Sequence, residues 1–527
     1  MARRGTKSVR FTIPLRPLTE GIVRTASDLQ VPLGAAAHIE NLIYMPDGAL
    51  RTFFGSQYLG KYPLDGPVLL IDQYITSKET LELLAITTKS LYKFDVTNNE
   101  WIQIATNYDF SIQFPPWSEI IDDVFVFGSR TQPVRYYDGA VTGDYITVLP
   151  TGLTSLHADC ALYYNGRLFL GSTVEDDDWI GYRLRYSSLS DPRDFDAPGA
   201  GFVDFRLSPY PIVSLAPLGE YLVVYKKRGI YFGRETGNID FPYDFSLIDD
   251  SMGPLAGRLV TSYLREHWWV GWDDLYSLTT SGLAPISGKI GKDLIANLAS
   301  SAEVTAWTGF SEKYSMVLFW LPEIGSYYPS KAWVFHHKLG SWTTVNLKLP
   351  AEITTGGYST RMWYAKLGEM TGKIGDTTTK IGDPLITPSL PSDLIGLSNG
   401  WIVEWSEDQV DWLGQPIEWT WESADLVVPH PETRAISEFF LLEVRVLVTP
   451  IRRVVDMECS VSLDRGATWS DPDNMRIWRE FESAKLFVAH FFTRTFSCKI
   501  RIKGKGPCYI RDISLVVSPI TEAWTDA

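Results

Sequence analysis

A hairpin motif that recurs along the chain constrains the fold more than any other sequence feature. In its clearest copies an apolar run is followed by a polar turn and a second short strand. Residues 221–225 lead to residues 230–233, and residues 267–271 lead to residues 275–278. Short aromatic and β-branched runs bounded by Gly, Asp and Lys are typical of β-hairpins. These copies therefore predict two hairpins of the same design.

The hairpin repeats at nearly constant spacing. The second strands begin at residues 91, 135, 183, 230, 275 and 333, at intervals of 44, 48, 47, 45 and 58 residues. The first strands keep pace, at residues 81–86, 124–127, 168–171, 222–225, 268–271 and 316–320. A period of about 40–50 residues with several strands per unit is typical of a β-propeller. We predict an all-β chain with about six blades, with five or seven as alternatives. An ordinary all-β domain with evenly spaced hairpins is the competing interpretation.

The sequence divides into four predicted regions: an extended N-terminal arm (1–35), the β-propeller (36–370), an extended loop or linker (371–399) and a C-terminal β-sandwich (400–527). The linker contains Lys-Ile-Gly-Asp twice, at 373–376 and 380–383, among Gly, Pro, Thr and Ser. In the last region, apolar residues alternate with charged ones at 442–448 and 498–503, which indicates a half-buried antiparallel sheet. A hairpin at 39–54 is placed to supply the strand that closes the propeller.

Composition excludes several classes of protein. Aromatic residues make up 13% of the chain and hydrophobic residues 45%, which is enough for large cores. The sequence contains no run of 18 apolar residues, so we expect no transmembrane helix. The first residues lack the apolar stretch of a signal peptide. The cysteines and histidines show no metal-ligand spacing, so we expect free buried thiols and a solvated pair at His336 and His337; the cysteines are Cys160, Cys459, Cys498 and Cys508.

The net charge of −15 argues against ordinary nucleic-acid binding, yet the charge is uneven. Residues 1–16 carry five cations and no acid, which leaves the remainder at −20; the cations are Arg3, Arg4, Lys7, Arg10 and Arg16. Pro14 and Pro17 favour an extended conformation there. This segment is either a solvated tail or an arm that docks on an acidic partner or DNA.

Candidate chemical motifs favour structural roles. Residues 462–469 read Ser-Leu-Asp-Arg-Gly-Ala-Thr-Trp and match the Asp-box hairpin of sialidase-like propellers, in which Asp464 would cap the turn, Gly466 would take a positive φ and Trp469 would pack back. Acidic pairs or triplets at 122–123, 176–178, 249–250 and 273–274 indicate solvated turns, with Ca²⁺ binding as the alternative. No nucleotide-binding or hydrolase motif is present, so we predict no enzyme, no catalytic residues, no metal ligands and no cofactor.

Several segments, in order, resemble bacteriophage tail and DNA-stabilisation proteins. They are residues 14–55, from PLRPLTEG to GALRTFFG, then YKKRGIYFGRETG (225–237), IDDSMGPLAGRLV (248–260), the segment at 269–287, GSW (340–342) and the Lys-Ile-Gly-Asp loop. The resemblance implies a structural protein of the tail nozzle, or tail hub, of a short-tailed phage. Such a protein would form a ring, expected to be a homohexamer, below the portal and adaptor and beside tail fibres or spikes.

Two functional classes follow. In the first, a virion tail protein assembled in the bacterial cytoplasm retains the packaged genome and conducts double-stranded DNA during ejection. An acidic lumen would suit this role, since it repels phosphate and lets DNA slide. In the second, the protein is a glycan-binding or glycan-hydrolysing propeller, which would need a carboxylate pair in its central cleft.

Overall fold

The computed structural model describes eleven stretches of the chain, at residues 10–24, 31–45, 47–76, 81–239, 241–291, 293–359, 392–407, 409–427, 438–451, 454–478 and 484–519. Both Lys-Ile-Gly-Asp copies and the arm residues Arg3, Arg4 and Lys7 lie outside these residues. The described part confirms the all-β class. Besides strands it has two α-helices, α1 (Asp293–Ala296) and α2 (Ala302–Thr305), and two 3-10 turns, Leu18–Glu20 and Gly257–Leu259. Among these elements, no helix has the length and apolar character needed to cross a membrane.

Five short strands precede the first repeat unit: β1 (Phe11–Pro14), β2 (Ala36–Glu40), β3 (Leu42–Tyr44), β4 (Leu50–Thr52) and β5 (Gly55–Tyr58). β3 and β4 pair with each other, as predicted for the hairpin at 39–54, but β4 then pairs with residues 509–510, so this hairpin does not supply the strand that closes the propeller. Each of the five strands belongs to a sheet that also contains strands hundreds of residues downstream. The N-terminal segment is therefore built into the rest of the molecule.

The predicted hairpins form the middle of four-stranded antiparallel units. The first three units are β6 (Val68–Ile75), β7 (Leu81–Thr87), β8 (Leu91–Asp95) and β9 (Glu100–Ala105); β10 (Trp117–Ile121), β11 (Val124–Gly128), β12 (Arg135–Tyr137) and β13 (Thr142–Asp144); and β14 (Leu156–Tyr164), β15 (Arg167–Glu175), β16 (Asp178–Tyr186) and β17 (Gly201–Asp204). The next three are β18 (Ile212–Leu218), β19 (Tyr221–Lys226), β20 (Ile230–Glu235) and β21 (Tyr243–Asp249); β22 (Val260–Tyr263), β23 (Glu266–Val270), β24 (Leu275–Thr279) and β25 (Gly282–Pro285); and β26 (Trp307–Ser311), β27 (Met316–Trp320), β28 (Lys331–His336) and β29 (Ser341–Asn346). Both strands of every predicted hairpin are confirmed, and they form the second and third strands of the corresponding unit.

One more unit of the same kind combines distant parts of the chain. It contains β30 (Ile353–Ser359), β31 (Ser392–Leu397), β32 (Ile402–Ser406) and the N-terminal β5, which pairs antiparallel with β32 from Val403↔Tyr58 to Ser406↔Gly55. Two short strands, β33 (Asp411–Trp412) and β34 (Gln415–Pro416), extend it beyond β5. This unit was not among the six predicted hairpins. Its strands also cross the predicted boundary at residues 399–400, because β31 and β32 pair across it.

In each four-stranded unit, the strand that precedes the central hairpin is called the first strand of the unit; these are β6, β10, β14, β18, β22, β26 and β30. The first strands of the units contact one another in a ring, which the Gly257–Leu259 turn completes. β6 contacts both β10 and β30, and β14 contacts both β10 and β18. The Gly257–Leu259 turn contacts β18, while β26 contacts β22 and β30. Apolar clusters fill the spaces between neighbouring units; one cluster, for example, joins Leu84 and Ile86 of β7 to Phe125 and Phe127 of β11. This arrangement of sheets around a common axis is a β-propeller.

The C-terminal strands form two further arrays. The strands are β35 (Glu418–Ser423), β36 (Leu426–Val427), β37 (Phe439–Pro450), β38 (Val454–Ser462), β39 (Asp473–Trp478), β40 (Lys485–Thr495), β41 (Ser497–Lys505) and β42 (Cys508–Pro519). One array has the order β3-β4-β42-β37-β40, with β1 also on β42. The other, β2-β35-β41-β38-β39, continues the sheet of β26–β29, and β36 pairs with β41. Val446 of β37 and Ile502 of β41 belong to one buried cluster that spans both arrays.

The predicted alternation in this region is confirmed in most positions. Cys498, Ile500 and Ile502 are buried, as is every second residue from Val444 to Val448. Leu442 is the exception, because a bulge between Leu441 and Glu443 shifts the register and buries Leu441 in its place.

The described end of the predicted N-terminal arm, residues 10–16, is not free. β1 pairs with β42 from Phe11↔Val517 to Pro14↔Ser514. Arg16, predicted to have no local acidic partner, lies 3.1 Å from a carboxylate oxygen of Asp512. Residues 10–16 are thus the edge of the C-terminal array, because the open edge of β42 supplies the backbone partners that an extended arm lacks.

Candidate functional site

Two of the acidic turns singled out in the sequence use a carboxylate to hold the backbone. Asp176 accepts hydrogen bonds from the backbone N–H groups of Thr154 (2.7 Å) and Ser155 (2.9 Å), and the Thr154 hydroxyl lowers the pKa of Asp176. Asp249 accepts from the N–H groups of Ser251 and Met252. No group of three or more His, Cys, Asp or Glu side chains able to hold a metal ion occurs in the described residues.

The Asp-box segment forms a tight turn after β38. Asp464 accepts hydrogen bonds from both the N–H group (2.8 Å) and the hydroxyl of Thr468, and the hydroxyl contact lowers the pKa of Asp464 to about 2. Gly466 has a φ of 93°, and Arg465, which was not predicted to be left-handed, has a φ of 60°. The guanidinium of Arg501 lies over the Trp469 indole, with its Cζ atom 3.6 Å from the centre of the ring. The predicted turn geometry is confirmed, and the polar side chains of Ser462, Asp464 and Thr468 form hydrogen bonds within it.

The adjacent histidines correct one expectation. His336 is only 3% exposed, its Nε2 lies 3.2 Å from the Thr343 hydroxyl, and burial lowers its pKa to about 3. His337 lies against the rings of Trp268 and Phe310. The predicted solvated pair is therefore wrong: His336 is the last residue of β28, which lies inside a large sheet, and His337 follows it and packs against Trp268 and Phe310. All four cysteines are free and buried, as predicted.

Two carboxyl groups that no motif indicated lie on the first strands of the first two units. Asp72 of β6 accepts a 2.5 Å hydrogen bond from the Ser118 hydroxyl on β10, and burial raises its pKa. Burial also raises the pKa of Glu119 to about 8, with the nearby Asp72 charge as a smaller cause. Glu119 is therefore mainly protonated at neutral pH.

A cavity of about 450 Å³ opens where several first strands begin, and we call it the axial cavity. Strands β10, β14 and β18, the Gly257–Leu259 turn and helix α2 contribute to its wall. Its charged lining residues are Arg130, Asp159, Lys227, Arg258 and Glu303. These residues come from different repeat units, so no local sequence pattern could have grouped them.

Two of the three cations in the axial cavity are paired. Arg130 binds Asp159 through two hydrogen bonds, one of them 2.6 Å from Nε to Oδ1, and its guanidinium lies 4.4 Å from both the Phe114 and Trp179 rings. Lys227 forms an ion pair with Glu303. Both acids of the cavity lining are thereby occupied.

Arg258 is held differently. Its Nη2 donates a hydrogen bond to the backbone carbonyl of Thr354 on β30, two units further around the ring, while its Nη1 is buried without a hydrogen-bond partner. Burial lowers the pKa of this guanidinium to about 10. A largely buried cation without an acidic partner among the described residues is costly, so this position is a candidate for ligand recognition.

Comparison with solved structures gave distant likenesses. YCF48 from Cyanidioschyzon merolae aligns at 10% identity with a TM-score of 0.38, over 68% of this chain and 100% of that one. A catalytically inactive virginiamycin B lyase from Staphylococcus aureus, solved with quinupristin, aligns at 11% identity with a TM-score of 0.37, over 67% of this chain and 99% of that one. At these TM-scores the likenesses have no bearing on function. No family model and no curated protein matches the chain.

Proposed function

We propose that this chain is a structural, non-enzymatic protein of the virion tail of a short-tailed phage, of the nozzle or hub class. In this proposal the propeller has seven blades, and the two C-terminal arrays form a β-sandwich. Copies assemble as a ring, a hexamer by the resemblance, below the portal and adaptor. The ring retains the packaged genome and conducts DNA during ejection.

The placement of the phage-like N-terminal segment is the observation that carries the proposal. Residues 36–58 supply β2 and β5, which pair with the propeller sheets, and β3 and β4, which pair with the C-terminal array. The Asn41 side chain strengthens this connection: it donates to the backbone oxygen of Glu418 (2.7 Å) and accepts from the N–H group of Asn346 (2.7 Å). The segment that resembles tail proteins thus connects the propeller sheets to the C-terminal array, as expected for a structural scaffold.

The DNA path in this proposal lies between copies and not along the propeller axis. The hydrogen bond from Arg258 to Thr354 joins the fifth unit to the seventh across the ring. This bond links units that are not neighbours, so the passage beside it is too narrow for B-DNA, whose major groove alone is about 12 Å wide. The net charge of −15 suits a lumen formed by several copies, because an acidic wall repels phosphate.

A glycan-active propeller is the second candidate, and the half-exposed Trp179 at the axial cavity favours it, since an indole face can stack on a sugar ring. Hydrolysis would require two available carboxyl groups. The two acids that line the cavity are engaged, Asp159 by Arg130 and Glu303 by Lys227. We therefore propose no hydrolytic activity.

Imaging tests the proposal. The purified protein should be examined by negative-stain electron microscopy and sedimentation velocity, alone and with phage heads that carry a portal and adaptor. We expect closed rings with a central opening, either in solution or on the heads. A protein that remains monomeric and unattached in both conditions would contradict the proposed tail role. Release of reducing sugar from bacterial surface glycans would favour the second candidate.

A further inference from the structure

We propose that the axial cavity binds a small organic carboxylate through Arg258. This inference is independent of the tail assignment, because it rests on the charge, the hydrogen bonding and the shape of the cavity. It assigns to the molecule a ligand site that the sequence motifs do not indicate.

The charge of the cavity lining is the first observation. Three cations and two acids line the cavity, so one positive charge remains after Arg130 pairs with Asp159 and Lys227 pairs with Glu303. The excess charge belongs to Arg258. It stands out in a chain whose acids outnumber its basic residues, 63 to 48. A ligand with a single negative charge would neutralise the lining.

The hydrogen bonding of Arg258 is the second observation. A guanidinium carries five N–H donors, and here one nitrogen donates to the Thr354 carbonyl while Nη1 has no partner. Lys226, another poorly solvated cation, instead donates to two backbone carbonyls, those of Phe205 and Ser208. Arg258 therefore has donor capacity that Lys226 has used. Nη1 is covered in this conformation, so ligand binding requires the guanidinium to rotate toward the cavity, where a carboxylate oxygen is the acceptor that a guanidinium fork recognises well.

The walls indicate the rest of the ligand. The cavity lining includes Pro115, Pro116 and Pro211 and the aliphatic Leu215 and Val304. Trp179, which is 50% exposed, is anchored by a 2.9 Å hydrogen bond from its Nε1 to the Ser172 hydroxyl. A volume of about 450 Å³ falls in the range of small-molecule sites. An aromatic or cyclic body would lie against these apolar surfaces.

The ligand's charge distinguishes a carboxylate from a phosphate. A phosphate monoester carries about −1.5 to −2 at neutral pH, whereas a carboxylate carries one negative charge. The cavity has one unpaired cation, so the second charge of a phosphate would meet the acids Asp159 and Glu303 without a partner. The lining therefore favours the carboxylate.

Calorimetric titration of the full chain with benzoate, acetate and inorganic phosphate tests the site. We expect benzoate to bind more tightly than acetate, and acetate more tightly than phosphate. Arg258→Gln should weaken benzoate binding about tenfold or more, because a charge-assisted hydrogen bond is lost. Arg258→Lys should bind more tightly than Arg258→Gln. Arg206→Gln, a change at an exposed arginine paired with Asp204 outside the cavity, should leave binding unchanged.

Trp179→Ala gives a second test that does not depend on the fold of the Arg258 variants. Trp179 is half exposed, so its truncation should leave the fold intact. It should reduce benzoate binding while acetate binding remains. Undetectable benzoate binding to the unmodified chain, equal binding by Arg258→Gln, or phosphate binding as tight as benzoate binding would each overturn the proposal.

Discussion

Glu119 should make the protein less stable as the pH rises, and Glu119→Gln should remove that effect. Burial raises the pKa of this carboxyl from 4.5 to about 8. Between those values the unfolded chain has lost a proton that the folded chain keeps, so the free energy of unfolding falls with increasing pH. Below about pH 4.5 both states are protonated and the cost disappears. Above about pH 8 both states are ionised and the cost is constant.

The size of the effect follows from the two pKa values. Their difference corresponds to about 5 kcal/mol above pH 8 for a carboxyl fully shielded from water. Glu119 keeps some exposure, so we expect Glu119→Gln to raise the free energy of unfolding by about 1–3 kcal/mol at pH 8.5. The amide oxygen retains the acceptor that Glu119 offers to the backbone of Tyr163. The substitution therefore removes the charge and preserves the hydrogen bond.

Urea unfolding of both proteins at pH 5.0 and pH 8.5 measures this effect. The variant should be nearly as stable as the unmodified chain at pH 5.0 and clearly more stable at pH 8.5. Glu418→Gln is the control of opposite sign, because hydrogen bonds from Lys348 and Lys505 lower the pKa of Glu418 to about 2. Its loss of stability should be the same at both pH values. A Glu119→Gln variant that is equally or less stable at pH 8.5 would refute the reasoning.

Three further outcomes are expected. Trp342 is fully buried and donates a hydrogen bond to the Ile286 carbonyl, so Trp342→Ala should cost about 3–5 kcal/mol in urea unfolding, whereas Trp179→Ala, at a half-exposed position, should cost far less. Deleting residues 1–16 should destabilise the C-terminal array more than deleting residues 1–9 does, because only the longer deletion removes β1; equal stability of the two deletions would contradict the described pairing. Burial raises the pKa of the Cys498 thiol to about 12, and all four thiols are buried, so a disulfide reagent at pH 8 should label none of them in the native protein and all four after unfolding; rapid native labelling would contradict this.

Periodicity predicted the parts of the fold that are local in sequence. The recurring sequence pattern predicted the hairpins from β7–β8 to β27–β28, because adjacent antiparallel strands need only a short turn, and the turn residues lie between the two strands in the sequence. Periodicity did not predict the additional four-stranded unit. Its strands come from residues 55–58, 353–359 and 392–406, and no local period connects them.

The site was harder to predict than the fold for a related reason. Asp464 and its turn were predictable because residues 462–469 contain all of the turn's partners. Asp72, Glu119 and Arg258 lie in three different repeat units, and each alone reads as an ordinary charged residue in a strand or turn. Only the ring of first strands brings Asp72 to Ser118, and Arg258 to Thr354.

The pairing of β5 with β32 also determines when the seventh unit can form during protein synthesis. Gly55 meets Ser406, so the strand made first must wait for one synthesised about 350 residues later. At roughly 5–20 residues per second that interval is on the order of 20–70 seconds. During it the nascent chain carries an unpaired β5 and a ring that cannot close. A chain that ends between residues 346 and 402 therefore contains the first six units but an open ring, with exposed strand edges that chaperones would have to shield.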